Sequence, residues 1–401
     1  MSERVDGPDS GADAPQLAAT PASDGLGSRQ VHAVSRLLRW CRSPEFVDAV
    51  VPTLGIRLAL LLFAPLAVVL LGDAGARAGL PLNIWNAWDA PHYLDIARFG
   101  YNPAGDPALA TFFPLLPLLL RAGSLVLPGL VAGLLISVAA TATAGVGIYR
   151  LARLDGGSRL VARAAVLAMN LFPTSFALVP PYTEPVFLAL AVWAFLRARQ
   201  ADWVGTGILG RLAGLTRLPG VFILPALLLE LRGRSKSPRM LALLLIGLAP
   251  IIYLCINWSA YGDPLFFVGV QQRLFFHQTV APWAVIGGLM TSVATLGGDS
   301  FWATVYVAPL LALLLLGVVL IWTGVSRRGR ASYFVYAGLS LFSFASLSWP
   351  ISAPRYAIGV FPLFLMLGGL ARSRFGTPLA VASVLLLGLF TAEFALGRWA
   401  F

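Results

Sequence analysis

One stretch of the sequence, residues 85–97, combines a carboxylate with aromatic and imidazole side chains at helical spacing. In an amphipathic helix, spacings of three and four residues would put one set of side chains on a single face: Trp85, Asp89, His92, Tyr93 and Ile96. Asp95 would point elsewhere. A carboxylate in this setting can take the proton of an attacking hydroxyl. The alternative is structural, with Asp89 favouring the start of a helix that has Pro91 in its first turn.

A second carboxylate, Glu184, lies in the proline-flanked segment 180–185. A glutamate in this position can contact a sugar hydroxyl. It can equally be stabilised by the dipole of a helix that begins beside it. The sequence leaves both interpretations open.

Four arginines lie at unusual positions, either outside the basic clusters or within apolar stretches. Arg273 and Arg355 lie outside the basic clusters, and the forked guanidinium group of arginine suits a phosphate. Arg355 can also serve as an anchor at the membrane surface. Arg217 and Arg57 fall within apolar stretches, where each needs water or a partner such as a carboxylate.

The sequence lacks three common signatures of other chemistries. It has no cluster of histidines and cysteines at metal-ligand spacing, no glycine-rich nucleotide loop followed by lysine, and no serine nucleophile elbow. Carboxylates and arginines are therefore the candidate chemical groups.

The elements that position these residues are expected to be membrane helices. Of 401 residues, 58% are hydrophobic and 12% are charged, with a mean hydropathy of +0.79. A water-soluble core does not absorb that much apolar surface. Apolar runs of roughly 18 to 25 residues, enough for a helix to cross about 30 Å of hydrocarbon, recur after residue 50. The sequence therefore predicts an all-α polytopic membrane protein.

The apolar runs predict about nine full crossings. They are residues 51–71, 125–149, 164–179, 185–197, 240–258, 302–323, 331–348, 356–370 and 377–396. A further apolar stretch, residues 203–231, is divided by Arg217, Pro219 and Gly220, so that each half is too short to cross. We expect it to form a broken or re-entrant helix pair.

Basic residues set the expected orientation. A net charge of +11 could indicate nucleic acid binding, but the arginines flank apolar runs as the positive-inside rule requires, so we expect no nucleic acid partner. Residues 1–28 are expected to form a disordered cytoplasmic tail, 29–49 a basic surface helix and 50–401 the transmembrane domain. The large outer loops are then residues 72–121 and 259–300, and the candidate site faces outside. Because Lys236 is the single lysine among 29 basic residues, the composition is typical of a GC-rich genome and indicates a bacterial plasma membrane.

Several motifs, taken in order, resemble the membrane-embedded GT-C glycosyltransferases and, within them, the PIG-V-like mannosyltransferases. These motifs are Trp88-Asp89-Ala90 with His92 and Tyr93, Gly100-Tyr101, Phe112-Phe113-Pro114 with Pro117, Tyr182-Thr183-Glu184, Leu215-Thr216-Arg217 with Gly220, and Pro354-Arg355-Tyr356. The most specific feature is a Trp-Asp loop after the first crossing followed by Phe-Phe-Pro.

This resemblance implies a GT-C-like helical bundle whose first outer loop carries the catalytic base, Asp89. It implies a polyprenyl-phosphate sugar as donor, with mannose the expected sugar, and a glycan or lipid as acceptor. A single displacement would invert the anomeric centre. The expected substrate contacts are Trp88, His92, Tyr93, Tyr182, Glu184, Arg217, Arg273, Arg355 and Tyr356.

The first loop departs from many relatives in one respect. They carry a second acid beside the catalytic aspartate or two residues from it, whereas Ala90 and Pro91 follow Asp89 here and the next acid is Asp95. We therefore predict no metal ligands. Participation of a divalent cation, Mg²⁺ or Mn²⁺, stays open.

Two other classes of function fit the same composition. A transporter or lipid flippase also contains broken helices and intramembrane arginines, although the sequence has no convincing internal repeat. A noncatalytic subunit that binds lipid is the second alternative. Replacing Asp89 by Asn separates these classes, because only the enzyme interpretation requires loss of turnover from a folded protein.

Overall fold

A computed structural model describes residues 39–72, 81–234 and 237–401 of the chain. The chain forms two units, residues 1–43 and 44–401. The predicted tail, residues 1–28, and residues 29–38 of the predicted surface helix lie outside the described residues. Residues 46–49 of that surface helix belong instead to the first membrane-length helix, Phe46–Leu71.

The second unit is built from helices, and its described residues contain no β-strand, only an isolated bridge between Thr279 and Leu347. In chain order the helices are α1 (Phe46–Leu71), α2 (Asp89–Phe99), α3 (Leu115–Gly123), α4 (Gly129–Leu154), α5 (Arg159–Leu171), α6 (Thr183–Arg199), α7 (Trp203–Gly214), α8 (Leu218–Leu231), α9 (Pro238–Tyr261), α10 (Phe266–Leu274), α11 (Pro282–Thr295), α12 (Ala303–Val325), α13 (Ala331–Ala345), α14 (Ala353–Gly359), α15 (Pro362–Arg372) and α16 (Gly376–Ala395). The predicted all-α architecture is confirmed for the described residues.

Five helices of the described chain have the length and composition to cross a membrane: α1, α4, α9, α12 and α16. A sixth candidate is the pair α14 and α15, if this pair is one span bent by 84°. These helices are those of an integral membrane protein. The prediction of about nine full crossings is wrong.

Fewer helices cross than predicted because three of the predicted crossings fall on helices that are too short. The predicted crossings 164–179, 185–197 and 331–348 fall on α5, α6 and α13, which have 13, 17 and 15 residues. At 1.5 Å per residue, α6 spans about 26 Å, less than the hydrocarbon layer. The helix α5 ends at Leu171 because Phe172 precedes Pro173, and the residue before a proline disfavours helical backbone.

The predicted break within residues 203–231 is present between α7 and α8. Arg217 is extended there, with φ −159° and ψ 151°. Gly220 then packs against the end of α7, where a methyl group on Gly220 would lie 2.4 Å from the carbonyl carbon of Ala213. Only glycine permits this approach, and it leaves Arg217 at the tip of the turn between the two helices.

Small residues bring the central helices close together. A methyl group on Gly147 of α4 would lie 2.6 Å from Val192 of α6, and one on Gly368 of α15 would lie 2.7 Å from Ala165 of α5. Close approach of helices at small residues is typical of membrane bundles. It buries most of α6, including the first turn that carries Glu184.

Candidate active site

The first turn of α2 presents Asp89. Trp88, directly before it, has φ 57° and ψ −110°, and a positive φ is uncommon for a residue with a side chain. The predicted segment 85–97 is thus helical only from Asp89, the residue expected at the helix start, and Trp85 belongs to a separate 3-10 helix, Pro81–Trp85. Asp89 is 28% exposed. Asp95 is also exposed.

Four charged side chains from distant parts of the sequence form a continuous series of ion pairs. Nη2 of Arg355 lies 2.7 Å from Oδ2 of Asp89, and Nε of Arg355 lies 3.0 Å from Oε1 of Glu184. Nη1 of Arg217 lies 2.5 Å from the same oxygen of Glu184. Two carboxylates thus alternate with two guanidinium groups. We call Asp89, Arg355, Glu184 and Arg217 the ion-pair chain.

Burial differs along the ion-pair chain. Glu184 is 1% exposed and Arg355 is 8% exposed, so Asp89 is the more accessible of the two carboxylates. Burial acts to raise the pKa of the Glu184 carboxyl, but Arg217 and Arg355 outweigh burial and hold this pKa below its ordinary value. Glu184 is therefore a charged anchor for two arginines, and Asp89 is the carboxylate that a substrate can reach.

Helix starts and breaks position the members of the ion-pair chain. Glu184 lies in the first turn of α6, where the helix dipole favours a negative charge. Arg355 lies in α14, and the hydroxyl of Thr174 donates a hydrogen bond of 2.9 Å to the carbonyl oxygen of the preceding residue, Pro354. With Arg217 at the α7–α8 break, three segments of the predicted motifs meet at Glu184.

Tyrosine rings flank the two arginines. The guanidinium carbon of Arg217 lies 4.7 Å from the ring centroid of Tyr356. That of Arg355 lies 5.2 Å from the ring of Tyr182 and 5.7 Å from the ring of Tyr356. Aromatic faces attract cations at such distances, so both rings help to hold the guanidinium groups.

Two buried tyrosines connect α2 to the start of α6. The hydroxyl of Tyr182 donates to the carbonyl oxygen of Ala87 at 3.0 Å, and the hydroxyl of Tyr93 lies 3.5 Å from Oγ1 of Thr183. Burial first, and Asp89 second, raise the pKa of the Tyr93 hydroxyl, which therefore stays protonated. The hydroxyl groups of both tyrosines therefore meet partners in the protein itself.

Two residues close to Asp89 in the sequence keep contact with solvent: Trp88 is exposed and His92 is half-buried. Trp88 is 40% exposed and packs edge to face against Trp399, with ring centroids 5.2 Å apart. Nδ1 of His92 lies 3.8 Å from Oδ2 of Asp106. Sequence reasoning missed both Trp399 and Asp106. The Asp106-Pro107 pair signals a helix start, whereas nothing local marks Trp399.

Two other arginines lie apart from the ion-pair chain. Arg273 is exposed, and its Nε donates to the carbonyl oxygen of Gly269 in its own helix, so no contact brings this predicted phosphate ligand to the site. Arg57 is buried in α1 and meets carbonyl oxygens instead of a carboxylate. It donates to the carbonyl oxygens of Ser175 at 2.5 Å and Asn170 at 2.9 Å. Of the two arginines expected to need a partner within apolar stretches, Arg217 pairs with a carboxylate and Arg57 does not.

The ion-pair chain does not fit a divalent cation. A hard cation takes six or more oxygen ligands, often from several carboxylates. Here the oxygens of Asp89 and Glu184 face the guanidinium group of Arg355, which would repel a cation between them. The described residues also contain no group of three or more histidine, cysteine or acidic side chains placed to hold a metal.

Comparison of the chain with protein-family models and with curated proteins finds no match. The family suggested by the sequence motifs therefore stays a prediction.

Proposed function

We propose that this protein is an inverting glycosyltransferase of the GT-C type. It transfers a sugar, mannose in the first instance, from a polyprenyl-phosphate donor to a hydroxyl group of a glycan or lipid acceptor. One observation carries the proposal: the accessible carboxylate of Asp89 lies 2.7 Å from Arg355, which belongs to a pair of arginines held by buried Glu184. A base and phosphate-binding groups are thus adjacent.

The reaction is a single displacement. Asp89 accepts the proton of the acceptor hydroxyl while that oxygen attacks the anomeric carbon of the sugar. The bond between the anomeric carbon and the phosphate oxygen breaks, and polyprenyl phosphate leaves with the bonding electron pair. Arg355, supported by Arg217, stabilises the negative charge that develops on this phosphate. Attack opposite the leaving group inverts the anomeric configuration.

The exposed Trp88 and the half-buried His92, both close to Asp89 in the sequence, are suited to the sugar and acceptor. Trp88 offers an aromatic face, and His92 offers ring nitrogens for hydrogen bonds to hydroxyl groups. The three tyrosines contact the protein instead. Tyr182 and Tyr356 pack against the guanidinium groups, and the hydroxyls of Tyr182 and Tyr93 connect the segment around Asp89 to the start of α6. This arrangement gives substrate contact to the outer residues and support to the buried ones.

The site faces the outer side of a bacterial plasma membrane, with the N-terminus in the cytoplasm. Support for this orientation comes from the arginine clusters that flank the apolar runs in the sequence. Membrane-length helices are consistent with a donor whose polyprenyl chain stays in the lipid while its phosphate reaches the arginines.

The test is sugar transfer by purified protein in lipid, with radiolabelled polyprenyl-phosphate-mannose as donor and a membrane extract as acceptor. We compare wild type, Asp89→Asn and a control, Asp95→Asn. Asp95 is also exposed and belongs to the same helix, but it is absent from the ion-pair chain. We expect transfer by wild type and by Asp95→Asn, and a loss of about 10²- to 10⁴-fold for Asp89→Asn, the range for a general base.

Three results would contradict the proposal in different ways. Equal transfer by wild type and Asp89→Asn would remove Asp89 as the base. Equal losses in both variants would mean that the loss comes from general damage to α2, and Asp89 would have no role that Asp95 lacks. Folded wild-type protein that transfers no sugar from this donor, or from the glucose and galactose analogues, would refute the glycosyltransferase function.

A further inference from the structure

Three consecutive residues at the start of α6 each hold a different part of the site. Tyr182 bonds to the carbonyl oxygen of Ala87, Thr183 meets Tyr93 of α2, and Glu184 pairs with two arginines. Tyr182 makes two contacts that matter for the site: its hydroxyl bonds to the backbone before Asp89, and its ring packs against Arg355.

The hydroxyl of Tyr182 acts on the backbone just before Asp89. The carbonyl group of Ala87 belongs to the peptide plane that precedes Trp88, the residue with φ 57° and ψ −110°. A residue with a side chain keeps such a conformation only where its surroundings hold it. Two donors hold this carbonyl: the hydroxyl of Tyr182 at 3.0 Å and the amide of Ala90 at 3.2 Å. Rotation of this peptide plane would displace Asp89.

The ring of Tyr182 acts on the partner of Asp89. Its centroid lies 5.2 Å from the guanidinium carbon of Arg355, whose Nη2 pairs with Asp89. Tyr182 is 1% exposed, so its hydroxyl has the Ala87 carbonyl as partner and its ring is covered by protein. One buried side chain thus contacts both sides of the pair formed by Asp89 and Arg355.

We infer that Tyr182 is a positioning residue, whose hydroxyl holds the Trp88 turn that presents Asp89 and whose ring supports Arg355. The inference rests on the proposed function insofar as Asp89 is the base. It gives Tyr182 a role different from the substrate contact expected from the motifs. Because the role acts through backbone geometry, it is measurable without any enzymatic activity.

The variant Tyr182→Phe keeps the ring and removes the hydrogen bond to Ala87. The control is Tyr253→Phe. Tyr253 is also buried, and it donates a hydrogen bond of 2.5 Å to the carbonyl oxygen of Ala110, in the 3-10 helix Pro107–Thr111 and not in the Trp88 turn. Each variant loses one hydrogen bond from a hydroxyl group to a backbone carbonyl. A difference in amide exchange between the two variants therefore comes from where the lost bond lies.

The first readout is amide hydrogen exchange of the protein in lipid nanodiscs. We expect faster exchange in the turn, above all at the amide of Ala90 that bonds the Ala87 carbonyl, for Tyr182→Phe, and a clearly smaller change at residues 88–90 for Tyr253→Phe. Unchanged exchange of residues 88–93 in Tyr182→Phe would overturn the inference, whatever the protein catalyses.

The second readout is mannosyl transfer from the same radiolabelled donor at a fixed amount of membrane extract. Displacement of a reacting group by about 1 Å can cost 10²-fold in rate, so we expect Tyr182→Phe to lower kcat by roughly 10- to 100-fold. The donor KM should stay unchanged, because the ring still supports Arg355. Tyr182→Leu, which also lacks the ring, should raise the donor KM as well.

The two readouts separate the inference from the proposed function. Faster exchange with a wild-type kcat would overturn the positioning role and leave the glycosyltransferase function standing. If the wild-type protein transfers no sugar from the mannose, glucose or galactose donors, the proposed function fails, and with it the catalytic part of the inference. Exchange at residues 88–93 still decides whether Tyr182 holds the turn.

Discussion

Replacing Glu184 by glutamine removes the central charge of the ion-pair chain and keeps the shape of the side chain. Oε1 of Glu184 lies 2.5 Å from Nη1 of Arg217 and 3.0 Å from Nε of Arg355. Without this charge, Arg355 still has Asp89 at 2.7 Å. Arg217 loses the only carboxylate with which it pairs among the described residues. We therefore expect Glu184→Gln to destabilise the fold through Arg217.

The expected magnitude follows from burial. Removing one partner of a buried ion pair costs about 3–5 kcal/mol. Arg217 retains some contact with solvent and with the ring of Tyr356, which places the expected loss at the lower end, about 3 kcal/mol. The control is Glu393→Gln. Glu393 pairs at 3.2 Å with Arg398, which is 63% exposed, so its replacement should cost less than about 1 kcal/mol.

The assay is the free energy of unfolding in mixed micelles, measured by denaturant titration with circular dichroism. A double variant, Glu184→Gln with Arg217→Gln, removes the unpaired guanidinium group and should recover part of the loss. If Glu184→Gln costs no more than Glu393→Gln, the ion-pair chain does not stabilise the fold as argued. If the double variant is less stable than the sum of the two single variants predicts, Arg217 is not the source of the loss.

Two further predictions concern the same residues. Because the folded-state pKa of Glu184 lies below the ordinary value of 4.5, its contribution to stability is complete above pH 4.5 and is lost as the pH falls through the folded-state pKa. The stability difference between wild type and Glu184→Gln should therefore shrink on acidification below that pH, and a constant difference would contradict the shift. Arg355→Lys cannot contact Asp89 and Glu184 together in the same fork. Because a charge displaced by about 1 Å can cost 10²-fold in rate, loss of one of these two ion-pair contacts should lower kcat/KM for the donor by roughly 100-fold in the transfer assay, and wild-type kinetics would refute this role.

The sequence predicts which residues belong to the site, but it does not predict which of them pair with each other. Local composition and motifs point to Asp89, Glu184, Arg217 and Arg355, and the structure joins all four. Their pairing depends on helices far apart in the chain, which no local pattern encodes. The same reasoning points to Arg273 and to Arg355. Arg273, however, bonds to the Gly269 carbonyl of its own helix and makes no contact with the ion-pair chain among the described residues.

The errors in the fold also have local physical causes. Counting apolar runs predicted nine crossings, but a run does not reveal where prolines and turns end the helix inside it, as Pro173 does after α5. Trp85 does not share the helical face of Asp89, although the spacing of the side chains continues through it, because the chain turns at Trp88 with a positive φ. Tryptophan is an unfavourable residue for that backbone, so the turn depends on tertiary contacts such as the Tyr182 bond to Ala87.

The alternation of charges along the ion-pair chain is suited to the proposed displacement. The donor phosphate carries one negative charge as a diester and gains a second as a monoester when the sugar leaves. In the same step Asp89 takes up a proton and loses its charge. Negative charge therefore moves from Asp89 to the phosphate while the total stays constant. Arg355, 2.7 Å from Asp89 and anchored on its other side by Glu184, can turn from one anion to the other without becoming unpaired. Glu184 is thus required to stay ionised throughout, which agrees with its burial between two arginines.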